Sequence, residues 1–119
     1  MDKLDIIFKL QEELDKKIAQ EHQVNFDFDT WVQKEILAIM SELAEVLEET
    51  NFKWWKKSQE IDKDALREEI IDVFHFVISL CLKVGLSPQD LYTAYLEKNQ
   101  ENIRRQEGLS EKKGYHAGG

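Results

Sequence analysis

Apolar positions along this chain return every three or four residues, and no long segment alternates at every second one, so the pattern predicts helices and no strands. Leu4, Ile7, Phe8, Leu14 and Ile18 fall on one stripe of a first helix running from about Asp2 to Ala19, with Gln11 in the middle of that stripe. A second helix is expected to start after Asp27 or Asp29 and to continue through Trp31, Ile36, Met40, Leu43 and Leu47 to about Glu49. The third begins near Asp62, with acidic residues in its first turns, and ends at Gly85 after Lys83. Ser87-Pro88-Gln89-Asp90 reads as an N-cap followed by proline at the first helical position and an acid placed for a capping box. The fourth helix carries Leu91, Tyr95 and Ile103 and ends near Gly108. One proline, and five glycines of which four lie at or beyond Gly108, leave these helices uninterrupted. The expected fold is all-α, an antiparallel four-helix core with helices two and three adjacent. It occupies one helical catalytic domain over residues 1–107, followed by a flexible C-terminal tail over 108–119.

One stretch breaks the pattern. From Ile70 to Val84 nearly every side chain is apolar, as in a helix buried on most of its circumference, yet Asp72 and His75 sit inside the run. A buried carboxylate is normally neutralised, hydrogen-bonded or bound to a metal. Asp72 also shares a helical face with Glu69, three residues earlier, and helix two carries the same spacing in Glu42 and Glu45. If the two acidic faces converge, four carboxylates line one cleft. Crowded like charges raise one another's pKa, and a divalent cation removes that cost. Hard oxygen ligands with room for water and phosphate oxygens suit Mg²⁺ or Mn²⁺, with more than one ion per site. Acidic pairs on one helix also occur as plain solvated faces, and Glu48, Glu49, Glu60 and Glu68 are read that way.

Charge and composition narrow the partners. Charged residues make up 34% of the 119 positions and the formal net charge is -8, so the electrostatic footprint of a nucleic-acid or anionic-membrane binder is missing. A phosphate-bearing ligand would need a cation to bridge it to such a protein. Cys81, alone in the chain, is read as a reduced core residue. The N-terminus shows no signal-peptide pattern, and the long apolar run is interrupted, so a cytoplasmic protein is expected.

With these residues in view, Glu42-x-x-Glu45 followed by Glu69-x-x-Asp72 resembles the paired signature of the all-α nucleoside triphosphate pyrophosphatases, the MazG-like superfamily. Three further stretches resemble the dimeric all-α dUTPases: Leu10-Gln11-Glu12-Glu13-Leu14, Phe52-Lys53-Trp54-Trp55-Lys56, and Lys98-Asn99-x-x-Asn102-x-x-Arg105-Gln106. The resemblance implies hydrolysis of dUTP to dUMP and pyrophosphate by Mg²⁺-activated water. It makes Glu42, Glu45, Glu69 and Asp72 metal ligands, with a helix-two glutamate, Glu42 or Glu45, orienting or deprotonating the water. It assigns Lys98, Asn102 and Arg105 to the phosphates.

The residues themselves point the same way while leaving alternatives open. Lys98, Asn102 and Arg105 recur at intervals of four and three and so share one helix face. Lys53 and Lys56 flank the tryptophans in a loop where phosphate or neighbouring acids could be met. Gln11 can donate and accept, as a uracil edge requires, or it can be a buried glutamine satisfied by its neighbours. Trp54, Trp55 and Phe76 could stack on a base or belong to the core. His75 adjoins the acidic face and either contacts sugar or base or is a hydrogen-bonded structural histidine. Three functions remain: a dUTPase, a housecleaning pyrophosphatase acting on other or several nucleotides, and a non-enzymatic helical interaction protein. Wide apolar helix surfaces in so short a chain predict a homodimer or higher assembly.

Overall fold

The computed structural model describes residues 1–108, and four helices account for most of them. These are α1 (Lys3–His22), α2 (Phe28–Glu48), α3 (Lys63–Lys83) and α4 (Pro88–Gln106), with no strand among the described residues. The fold is all-α. Beyond Gly108, the expected tail lies outside the described residues.

Each helix opens on a side-chain oxygen that takes up backbone donors the first turn leaves unpaired. Asp2 accepts the Asp5 N–H at 2.9 Å while Asp5 accepts that of Asp2 at 3.2 Å, a reciprocal capping box. Asp27 takes the Thr30 N–H at 2.8 Å, and Asp62 takes those of Asp64 and Ala65, both at 3.1 Å. The Ser87 hydroxyl takes the Asp90 N–H at 3.0 Å, and Asp90 accepts from the Ser87 N–H at 3.1 Å, with Pro88 just inside the helix. The ends are less legible. α1 runs three residues past the predicted Ala19 because its stop is Gln23 in the left-handed region at φ 53°, a cap that no glycine signals. α3 ends as predicted, before Gly85 at φ 80°.

The chain divides into two compact units, one ending at Gly85 and one beginning at Leu86. The first holds α1 to α3, with α3 packed against both of the others. Side-chain pairs give the directions. Gln11 meets His75 and Asp15 meets Ser79, so α1 and α3 run parallel. Glu35 meets Ser79 while Glu42 meets Glu69 and Asp72, so numbers fall along α2 as they rise along α3, and that pair is antiparallel. The second unit contains α4.

Burial is narrower than the apolar pattern predicts. Among the described apolar side chains only Phe8, Ile78 and Cys81 are buried, beside the polar Gln11, Glu35 and Ser79. Ile7, Leu14 and Ile18 of the α1 stripe are exposed, as are Ile36, Met40, Leu43 and Leu47 of α2. On α3 the expected burial of the whole run is confined to its second half: Ile70, Ile71 and Phe74 are exposed, and so is Asp72. Three packed helices cover only the faces they turn to one another, and each helix here carries apolar residues on more than one face. No single described helix is long and apolar enough to cross a membrane.

Candidate active site

Antiparallel packing of α2 on α3 brings their acidic pairs together. One carboxylate oxygen from each of Glu42, Glu69 and Asp72 lies within 4.8 Å of the other two. Removal from water is the main influence raising the pKa of Glu42 and of Glu69, and the nearby Glu45 carboxylate adds to it in both cases, followed by Asp72. Glu45 thus borders the trio from the next turn of α2. Glu42 Oε2 and Glu69 Oε2 are both buried without a hydrogen-bond partner. A carboxylate oxygen in that position ordinarily has a donor or a cation. The donor set fits a cation: three hard carboxylate oxygens suit Mg²⁺, whose bonds of about 2.0–2.1 Å would draw them closer than the separations of up to 4.8 Å found here.

Two turns further along the same interface lies a second polar cluster. Gln11 donates from Nε2 to Asp15 at 2.8 Å, and its Oε1 lies 2.7 Å from His75 Nδ1. Ser79 Oγ is 2.7 Å from Asp15 Oδ2 and 2.9 Å from Glu35 Oε1. Ser79 is 1% exposed, Gln11 7% and Glu35 8%, so this is a buried network joining all three helices of the first unit. Burial is the first cause holding the Glu35 pKa above its ordinary value; the Ser79 hydrogen bond opposes it, Asp15 adds to it, and Lys83 opposes it. Both ends of the Gln11 amide are engaged, whereas His75 is exposed and keeps its Nε2 edge open.

Sequence reading missed Glu35, Asp15 and Ser79. A signal existed: Glu35 precedes Glu42 by seven residues and so shares its helix face, and Ser79 interrupts the apolar run seven residues after Asp72.

The remaining candidates fall into two groups. Trp54 and Trp55, 85% and 62% exposed, meet edge to face with centroids 5.7 Å apart on the loop between α2 and α3. Asn51 closes that loop, donating to Gln59 O and accepting from Gln59 N–H, both at 2.9 Å. Lys53 on the loop reaches Glu48 at 4.0 Å, Lys56 is exposed, and Phe76 on α3 is half-buried. Lys98, Asn102 and Arg105 form a set of their own on α4, where Arg105 Nε lies 3.6 Å from Glu101.

Comparison with known proteins puts this arrangement in context. The chain is 25% identical over 88 residues to the dCTP pyrophosphatase of Enterobacteria phage T4, an alignment covering 62% of this chain and 52% of that protein. It is 34% identical over 55 residues to the dCTP pyrophosphatase of Enterobacteria phage LZ5, covering 44% of this chain and 32% of the relative. The matched region therefore spans 52% of the T4 protein's length and 32% of the LZ5 protein's. No solved structure matches. A family model described as dUTPase matches residues 3–88, which takes in α1 to α3 with the acidic cluster and the buried network, and the chain belongs to that all-α dUTPase family.

Proposed function

We propose that this protein is a metal-dependent nucleoside triphosphate pyrophosphohydrolase that cleaves dUTP to dUMP and pyrophosphate. The observation that carries the reading is the pair of buried, unpartnered oxygens of Glu42 and Glu69 inside a carboxylate cluster, in a chain of the dUTPase family. Glu42, Glu45, Glu69 and Asp72 would hold Mg²⁺ or Mn²⁺, which when bound neutralises phosphate charge and lowers the pKa of a bound water. Glu45 or Glu42 orients that water and takes its proton. Lys98, Asn102 and Arg105, with Lys53 and Lys56, donate to phosphate oxygens. His75, positioned by Gln11, meets the base or sugar, and Trp55 and Phe76 offer faces for stacking. The working form is a homodimer or larger assembly in the cytoplasm.

A second reading has its own support. Both relatives named above are dCTP pyrophosphatases, which favours another or a broader deoxynucleotide preference over the same chemistry. The test is product analysis by ion-exchange chromatography on a panel of dUTP, dCTP, dTTP and UTP with Mg²⁺. Pyrophosphate plus monophosphate is expected, with dUTP preferred. Orthophosphate release, or no hydrolysis of any of the four, would sink the proposal; preference for dCTP would select the second reading.

A further inference from the structure

The three oxygens at the centre of the buried network do not have enough hydrogens. Ser79 Oγ lies within hydrogen-bond distance of Asp15 Oδ2 and Glu35 Oε1, at 2.7 and 2.9 Å, but a hydroxyl supplies one proton. With both carboxylates ionised, one of those contacts would set lone pair against lone pair. A second proton must sit on one of the two acids.

The surroundings decide which. Glu35 is 8% exposed, and its Oε2 is buried without a partner, a cost far smaller for the carbonyl oxygen of a neutral acid than for half of a carboxylate. Asp15 is half-buried and accepts on both oxygens, from Gln11 Nε2 and from Ser79. We propose that Glu35 is a neutral carboxylic acid donating through Ser79 to an ionised Asp15, and that this chain fixes the Gln11 amide and, through it, the tautomer of His75. The direction runs from Glu35 O–H to Ser79 Oγ, and from Ser79 O–H to Asp15 Oδ2. Gln11 Nε2 then donates to Asp15 Oδ1, which turns Gln11 Oε1 toward His75 and calls for the proton on His75 Nδ1. Nε2 is left as an acceptor on the exposed edge of the ring. Were the proton on Asp15 Oδ2 instead, Ser79 would donate to Glu35 while Asp15 Oδ1 still accepted from Gln11. The infrared readout on Glu35 therefore decides which acid is neutral, and the His75 tautomer tests the Asp15–Gln11 link.

The charged groups facing Glu35 are Asp15 from α1, which strengthens its hold on the proton, and Lys83 from α3, which weakens it. The Lys83 ammonium is engaged 4.4 Å from the Trp31 ring centroid. Glu35, Ser79 and Asp15 are thus positioning residues. That His75 presents its acceptor to a base N–H rests on the nucleotide reading above; the proton arrangement does not.

The experiment has three readouts. Infrared difference spectra of the metal-free protein near neutral pH, wild type against Glu35→Gln, are expected to show a protonated-carboxyl stretch that the substitution removes. Bands from Glu42 and Glu69 are common to the two proteins and cancel, so a wild-type-minus-Glu35→Gln difference without a protonated-carboxyl band overturns the proposal. Nitrogen-15 NMR of His75, assigned against His75→Asn, is expected to show Nδ1 protonated in the neutral ring of wild type and of Glu35→Gln, whose amide replaces the acid as donor to Ser79. An Nε2-protonated ring in wild type overturns it. Third, Asp15→Leu is expected to move His75 toward the Nε2–H form and to cut discrimination between nucleotides about tenfold, the worth of one buried hydrogen bond, while Glu35→Gln keeps it. An unchanged tautomer, or an equal loss on every nucleotide, counts against positioning. If no nucleotide is hydrolysed, the infrared and NMR results still decide the proton arrangement, and it is the functional reading that fails.

Discussion

At the scale of single residues the carboxylates of α2 and α3 are the chemically unusual feature. Glu42 and Glu69 titrate above the ordinary 4.5, so the folded chain keeps protons there that the unfolded chain has released. For an acid with a raised folded pKa, stability is fullest below the unfolded value and declines as pH rises through the folded one. Urea denaturation of the metal-free protein at increasing pH from 4.5 is therefore expected to show falling stability. Saturating Mg²⁺ should shrink the decline, since the cation replaces the protons, and Glu35→Gln should remove the share belonging to Glu35. Asp72→Asn relieves both neighbours of a charge: it should flatten the metal-free curve while lowering Mg²⁺-dependent turnover about 100-fold or more. Stability that rises with pH over this window in the metal-free protein would mean that burial and crowding do not hold protons on Glu42 and Glu69.

Individual elements are held by local devices rather than by depth of burial. All four N-termini are capped by Asp or Ser, and the α2–α3 loop is closed by the Asn51 amide against the Gln59 backbone. The end of α3 is the most sensitive of these points. Gly85 has φ 80°, and a Cβ built there would meet nothing within 4 Å, so any cost of Gly85→Ala comes from the backbone alone. The left-handed conformation costs a residue with a Cβ about 1–2 kcal/mol, and that is the loss of unfolding free energy expected by chemical denaturation. Gly85→Asn should lose less, because Asn tolerates the left-handed region. Equal stability of Gly85→Ala and the parent would show that the turn relaxes out of that conformation.

For the whole molecule the deciding fact is how much apolar surface a single chain leaves uncovered. On α2, Leu37 is 62% and Met40 61% exposed, one turn apart, and α1 and α3 expose further leucine, isoleucine and phenylalanine side chains. Monomers rarely display contiguous apolar surface on several helices, and a second copy is the occupant that needs no other protein. Sedimentation velocity at micromolar concentration is expected to give a dimer or larger species. Leu37→Glu combined with Met40→Glu should shift it toward monomer and lower thermal stability. A monomeric parent chain would show that these faces serve something else.

The sequence by itself determined the helices, their starts and the two acidic pairs, because each is a local matter. Periodicity is set over a few turns, caps such as Asp27 and Ser87 act within three residues, and Glu42/Glu45 and Glu69/Asp72 share faces by helical geometry alone. The stop at Gln23 escaped because a left-handed glutamine leaves no compositional mark. Tertiary structure decided what depends on two helices meeting. It set the antiparallel register that brings Glu42 to Glu69 and Asp72, and it decided which apolar residues are covered, since Phe8 and Ile7 are neighbours in one stripe yet only Phe8 is buried. It also turned Glu35, Asp15 and Ser79, three unremarked polar residues from three helices, into one hydrogen-bonded chain behind Gln11 and His75. A proton shared across helices has no signature in any one of them, because it exists only where their side chains are brought within 3 Å, and the longest of these contacts is 2.9 Å.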